Sequence, residues 1–149
     1  MKPCVIFDID GTLANGDHRL HLIQQTPKQW DAYFDLCHDD KPIPHMIRVL
    51  RALDRELVTV FVSGRAERCR EKTAQWLSDH GAYTGRYPLR LYMRPDGDHR
   101  DDDVLKIVLL EQVRADGFEP VVVFDDRSRV VKAWRAAGVP CAQVAEGDF

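Results

Sequence analysis

The sequence predicts a three-layer α/β sandwich around a mostly parallel central sheet, and three observations carry that prediction. Short apolar runs rich in Val, Ile and Phe alternate with longer stretches whose apolar residues recur at helical spacing. The runs are apolar at successive positions, as strands covered on both faces should be. Two of them end on carboxylates, VIF on Asp8-Ile9-Asp10 and VVVF on Asp125-Asp126, at the strand ends where open α/β sheets place their ligands.

Strands are expected at 3–8, 57–62, 89–93, 121–125 and 141–144, where β-branched and aromatic residues dominate. Between them, Met46, Val49, Leu50 and Leu53 fall on one helical face, and Cys69, Thr73, Trp76 and Leu77 on the next. Val104, Ile107, Val108 and Leu110 repeat the pattern. Val130, Val131 and Trp134 mark a last helix, stopped by Gly138 and Pro140. Residues 14–44 interrupt the alternation. There Thr26-Pro27-Lys28-Gln29 reads as an N-cap, a Pro at the first helical position and a Gln three residues after the cap, so a short helix bearing Trp30, Tyr33 and Phe34 is expected. The length and the 44% hydrophobic content match one domain over 1–149 with a small helical insertion at about 14–44.

A net charge of −3 and a pI near 6.0 argue against a broad basic surface, so any nucleic-acid contact must be local. The cysteines Cys4, Cys37, Cys69 and Cys141 form no C-x-x-C and read as reduced core residues. No apolar run reaches the roughly 18 residues of a membrane span, and a strand rather than a signal peptide opens at residue 3. A cytoplasmic protein with no membrane contact is expected.

A carboxylate ending an apolar strand is costly without a partner, so something cationic belongs there. Asp8 and Asp10, at i and i+2, can face one crevice, while Gly11 permits a sharp turn and Thr12 can cap or bind an anion. After VTVFV, Ser63-Gly64-Arg65 offers a hydroxyl, turn amides and a guanidinium to a phosphate, although a plain Ser cap and Gly turn fit the same residues. Asp125 and Asp126, with Asp8, form the hard oxygen cluster that Mg²⁺ prefers; Asp126 equally fits the N-cap of a helix near Arg127. Lys106 lies four residues after Asp102 on the same face. It is either half of a surface ion pair or the lysine that offsets crowded acids, and the crowding favours the second. The acidic loop 96–103 lacks a twelve-residue calcium register with a terminal Glu and reads as a solvated loop. His18 and His21 share a face without completing a zinc set and read as surface residues.

The order DIDGT, SGR, a helical lysine and FDDR resembles the haloacid dehalogenase superfamily of aspartyl-phosphate phosphohydrolases. HRDDDVLK, FDDRSRVVKAWRAAGVPC and the terminal QVAEGDF further resemble the 3′-phosphatase domain of phage-type polynucleotide kinase. The resemblance implies a Rossmann-like three-layer sandwich with a small cap insertion. It also implies Asp8 as nucleophile, Asp10 as acid and then base, and Lys106 beside the nucleophile. Thr12, Ser63, Gly64 and Arg65 would hold the phosphoryl group, and Arg19 and Asp102 match further substrate-binding positions. Mg²⁺ would sit on Asp8, the Asp10 carbonyl, Asp125 and Asp126.

The implied activity is removal of 3′-phosphates from nucleic-acid ends or 3′-nucleotides, in nucleic-acid repair. A small-metabolite phosphatase such as a 5′-nucleotidase is the alternative. A non-catalytic module that binds phosphorylated ends is a third reading, disfavoured because a binder needs no nucleophile and acid/base together. No G-x-x-x-x-G-K-[ST] string occurs, so no kinase activity is expected in this chain. A separate kinase or ligase partner and a homo-oligomer stay open. The short insertion leaves an open site that could admit a polymer end.

Overall fold

The computed structural model describes residues 1–149. Along the chain run β1 (Lys2–Phe7), β2 (Ala14–Asn15), α1 (Asp17–Gln24), α2 (Trp30–Asp35), β3 (Lys41–Pro42), α3 (Pro44–Leu53) and β4 (Val58–Ala66). Then come α4 (Arg70–Asp79), β5 (Leu91–Arg94), α5 (Asp102–Ala115), β6 (Phe118–Asp125), α6 (Ser128–Ala136) and β7 (Cys141–Gln143). Five strands pair in the order β5-β4-β1-β6-β7, all parallel, with β1 in the middle.

The period of two in β1 divides the core between two layers. Val5, Phe7 and the following Ile9 pack with Met46 and Leu50 of α3 and Trp76 and Leu77 of α4. Cys4 and Ile6 point the other way, among Leu105, Leu109 and Val113 of α5 and Val130 and Trp134 of α6. Both faces of β1 are therefore dry, which is why its sequence is apolar throughout. Each fully buried side chain of this kind contributes about 1.5–3 kcal/mol. The carboxyl ends of β1, β4 and β6 emerge side by side, and the chemistry-bearing residues follow from them.

Several local expectations need correction. β4 continues to Ala66, so Ser63-Gly64-Arg65 lies within the strand rather than after it. β6 begins at Phe118, three residues before its expected start. In α5 the buried face is Leu105, Lys106, Leu109, Leu110 and Val113, and Val104 is 51% exposed. That register follows from turning Lys106 inward. In α3, Ile47 is buried and Val49 faces out. The capping box at Thr26 does not form: α2 starts at Trp30, with Gln29 at its N-cap and no side-chain cap bond. The Gln29 amide instead donates to the Leu22 carbonyl at 2.8 Å, tying the segment back to α1.

The insertion holds two helices rather than one. Its ends are pinned by the antiparallel ribbon β2–β3, Ala14 opposite Pro42 and Asn15 opposite Lys41. All four cysteines are unpaired. No helix is long and apolar enough to cross a membrane.

Candidate active site

Asp8 leaves the sheet with its amide still bonded to the Phe124 carbonyl at 3.0 Å. Its Oδ1 accepts from Lys106 Nζ at 2.7 Å. Lys106 also donates to Asp125 Oδ2 at 3.2 Å and to the Val62 carbonyl at 3.1 Å, so its ammonium is fully used inside the protein. It forms no pair with Asp102, which excludes the surface ion-pair reading. Trp134 Nε1 donates to Asp125 Oδ2 at 3.1 Å, and the Arg127 amide to Asp125 Oδ1 at 3.2 Å. The Thr12 hydroxyl lies 3.3 Å from Asp8 Oδ2.

Asp8, Asp125 and Asp126 are all buried, with one carboxylate oxygen from each within 4.8 Å of the others. Three acids thus face one ammonium. Burial and then the neighbouring Asp125 raise the Asp8 carboxyl well above the usual carboxylate range, although Lys106 opposes them. Burial and Asp125 likewise push Asp126 up. Burial works against the charge on Lys106, but Asp125 and Asp8 outweigh it and hold the ammonium protonated. An all-oxygen, acid-rich donor set fits a hard divalent cation rather than a thiolate-seeking metal. No other group of three or more metal-capable side chains occurs; in the 96–103 loop, Asp98 pairs with Arg100 and Arg94 instead.

Asp10 stands in a different environment. Arg65 Nε reaches both of its oxygens at 3.1 Å, Arg65 Nη2 reaches Oδ1 at 2.7 Å, and Arg19 Nη2 reaches Oδ1 at 3.0 Å. Beneath the two guanidinium groups lies Asp40, fully buried. It accepts from Arg19 Nε and Nη2 at 2.8 Å each and from Arg65 Nη2 at 3.0 Å, with His18 Nε2 2.8 Å from its Oδ1. Arg65 Nη1 donates to the Thr73 hydroxyl at 3.1 Å, and Arg19 lies over the Tyr33 ring at 4.1 Å. Burial alone would raise the Asp10 carboxyl, yet Arg65 and then Arg19 hold it below the usual range. Arg19 and Arg65 were expected on the phosphoryl group. Their side chains are instead 0% and 1% exposed and turned inward on Asp10 and Asp40, which satisfies buried cations that would otherwise lack partners.

The remaining expected residues are held by contacts of their own. The Ser63 hydroxyl is buried and accepts from the Arg65 amide at 3.1 Å, a local turn contact. Asp102 is gripped by Arg94 Nη2 at 2.6 Å and Arg127 Nη1 at 3.2 Å. It packs so tightly on Gly64 that a Cβ there would come within 2.6 Å of its Oδ1. Gly11 has a φ of +81°, and a Cβ at 11 would lie 2.2 Å from Asp126 Oδ2, so the turn and the carboxylate both require glycine. Asp126 does not cap α6: Arg127 is its N-cap residue, with no side-chain cap bond.

Residues 2–149 match the family described as the polynucleotide kinase PNKP phosphatase domain. The chain belongs to that family. It is 28% identical over 134 residues to a protein of Autographa californica nuclear polyhedrosis virus named as a bifunctional polynucleotide kinase/RNA ligase, covering 90% of this chain and 16% of the relative. A solved structure titled as the Pnkp1/Rnl/Hen1 complex superposes with a TM-score of 0.82 at 28% identity, over 100% of this chain and 48% of that one. A haloacid dehalogenase-like hydrolase from Streptococcus pneumoniae shares the fold, with a TM-score of 0.68 at 13% identity over 96% of this chain and 84% of its own. This phosphatase-family chain therefore spans less than half the length of the first two. Its fold is the haloacid dehalogenase α/β fold, as the motifs implied.

Sequence reasoning passed over Asp40, Trp134 and Arg94. Asp40 follows His38 and Asp39 in a polar turn of the insertion, and its partners Arg19 and Arg65 are 21 and 25 residues away. Trp134 was placed in the core, where it is, but its indole N–H had to find an acceptor, and Asp125 supplies it.

Proposed function

We propose that this chain removes 3′-phosphates from nucleic-acid ends, with Mg²⁺ as its cofactor and an aspartyl-phosphate formed on Asp8. The observation that carries the reading is a buried carboxylate held by a lysine at 2.7 Å inside an acid cluster, with a second, arginine-clamped carboxylate two residues on. A metal-binding protein without turnover has no use for the second. The family match and the relatives' names support a nucleic-acid end over a small metabolite, and they support a kinase or ligase acting alongside.

Mg²⁺, when bound by Asp8, Asp125, Asp126 and the Asp10 carbonyl, supplies positive charge that offsets the phosphoryl oxygens. Lys106 orients Asp8 through Oδ1 and opposes the rise in proton affinity that burial and Asp125 impose on it. Asp8 attacks phosphorus: a bond to its oxygen forms, the bond to O3′ breaks, and that electron pair leaves on O3′. Asp10 protonates O3′, then takes a proton from the water that attacks phosphorus, which releases phosphate and restores Asp8. An Asp10 clamped by two arginines is a poor proton donor. A dianionic phosphoryl group arriving beside Asp10 raises its proton affinity by like-charge repulsion. The test is phosphate release from oligonucleotides and mononucleotides bearing a 3′- or a 5′-phosphate, with Mg²⁺ and with chelator. Faster Mg²⁺-dependent release from 3′-phosphorylated oligonucleotides is expected. Preference for 5′-mononucleotides would point to a metabolite phosphatase on the same chemistry, and full activity in excess chelator would remove the metal from the mechanism.

A further inference from the structure

The insertion carries an aromatic surface that the phosphoryl chemistry leaves unused. Of the three tryptophans, Trp76 and Trp134 are 1% and 0% exposed, whereas Trp30 is 45% exposed, on a helix with no buried residue. Exposure of so large a ring is costly, and here it is maintained by neighbours. The Tyr33 ring meets Trp30 edge-on at 5.8 Å, and the Phe34 ring lies beside it at 5.9 Å, inclined by 25°. Lys28 Nζ lies 5.7 Å from the centre of the Trp30 ring, and the Arg68 guanidinium 4.9 Å from that of Phe34, while Arg68 also pairs with Asp31. Residues 28–32 line an open hollow of about 400 Å³ against the ring.

This surface is coupled to the site. Tyr33 lies under Arg19, Arg19 holds Asp10, and Arg68 follows Arg65 by three residues at the end of β4. Trp30 is thus two side chains from Asp10 through the insertion.

We propose that Trp30, flanked by Lys28 and Arg68, is a stacking platform for an unpaired base of single-stranded nucleic acid whose terminal phosphate lies at Asp8. The proposal rests on the reading above and deepens it. Every base has a π-face, so an aromatic platform holds a strand without reading its sequence, and nearby cations accept the backbone phosphates. In a chain with a net charge of −3, such stacking supplies affinity that a basic groove would supply elsewhere. A base within a duplex is already stacked on its neighbours and cannot reach the ring, so the platform selects single strands.

The placement of the tryptophans makes the test direct, because Trp30 is the one accessible to a collisional quencher. The full chain is titrated in chelator, to prevent turnover, with 3′-phosphorylated oligothymidylate and with glycerol 2-phosphate, which has no base. The oligonucleotide is expected to quench Trp30 emission and shield it from acrylamide, and glycerol 2-phosphate to do neither. In Mg²⁺, Trp30→Ala is expected to raise KM for the oligonucleotide about tenfold more than KM for glycerol 2-phosphate, with the loss in KM rather than kcat. Trp30→Phe, which keeps a ring on Phe34, is expected to recover most of it. Thermal unfolding of each variant reports whether the insertion is intact. Release of phosphate from the oligonucleotide with Trp30 unshielded and KM unchanged in Trp30→Ala would overturn the platform and leave the proposed function standing. Shielding of Trp30 by an oligonucleotide that the wild type never dephosphorylates would support the platform and defeat the proposed function.

Discussion

Asp8 and Asp10 are separated by one residue and live in opposite electrostatic worlds. Asp8 shares its space with Asp125 and Asp126 against the single ammonium of Lys106. Asp10 shares with Asp40 the two guanidinium groups of Arg19 and Arg65, so two acids meet two bases. The first centre is short of positive charge and has a structural reason to recruit a cation. The second is complete by itself and is best suited to holding one carboxylate in one place. They differ in origin as well: the first is built from β1, α5 and β6, the second from the insertion and β4. A two-residue step at the end of one strand is enough to separate a carboxylate crowded by acids from one balanced by cations.

Removing the proposed nucleophile should have the largest effect. Asp8→Asn is expected to lower phosphate release at least about 10⁴-fold. It should leave the metal-free melting temperature unchanged or higher, because one of three crowded charges is gone. Substantial turnover by this variant would mean that the reactive carboxylate lies elsewhere.

Breaking the balanced centre should be felt in stability instead. Asp40→Ala leaves two buried guanidinium groups with one carboxylate, and a loss of about 3–5 kcal/mol in urea unfolding is expected. An unchanged midpoint would contradict the idea that this centre is self-neutralised. Asp126→Asn sharpens the contrast from the other side. The metal-free variant should be at least as stable as the wild type, but should lose the gain that Mg²⁺ gives the wild type, about 2.7 kcal/mol at a hundredfold excess over Kd. A variant that kept that gain would remove Asp126 from the metal site.

The smallest effect is on pH dependence. The folded Asp10 carboxyl lies below its ordinary value of 3.8, so in that window the unfolded chain binds more protons and stability rises with pH. The contribution is fully present above the ordinary value and fades as pH falls through the depressed one. Solvent screening limits its size, since the Asp10 side chain is 37% exposed. Asp8 has the opposite sign: its raised carboxyl binds a proton more readily folded than unfolded, so its centre loses stability as pH rises without a cation. Urea midpoints in chelator should show the difference between wild type and Asp10→Asn shrinking below about pH 4. A difference independent of pH would mean that the arginines do not act on Asp10 as a charge.

The strand-end centre was legible because its logic is local. An acid that ends an apolar strand announces itself, and Lys106 could be chosen because crowded acids need a cation. The helix face around Lys106 was misread through apolar spacing alone: Val104 was counted inward, whereas α5 is rotated to bury the lysine's long side chain. The balanced centre was half legible. Arg19 and Arg65 could be singled out, but not what they touch, because their partner Asp40 is an unremarkable acid in a polar turn that only tertiary folding brings under them. In α2 the turn chemistry of Thr26-Pro27 was outweighed by the backbone bond from Gln29 to Leu22. Glycines 11 and 64 read as turn residues, yet the carboxylates of Asp126 and Asp102 lie where their side chains would be.

The position of β1 in the middle of the sheet also has a kinetic consequence. Amides of Val5–Phe7 are locked between two strands and covered on both faces, so their hydrogen exchange requires opening of the whole molecule. The insertion is joined by a two-residue ribbon, α2 buries no residue and α1 buries only Arg19, so its amides exchange through a local opening of lower free energy. Arg19 can therefore release Asp10 and return while Arg65 still holds it and Asp8, Lys106 and Asp125 remain assembled. The neighbouring carboxylates keep separate clocks: the partners of Asp8 share the lifetime of the fold, whereas one of the two cations on Asp10 follows the breathing of the insertion.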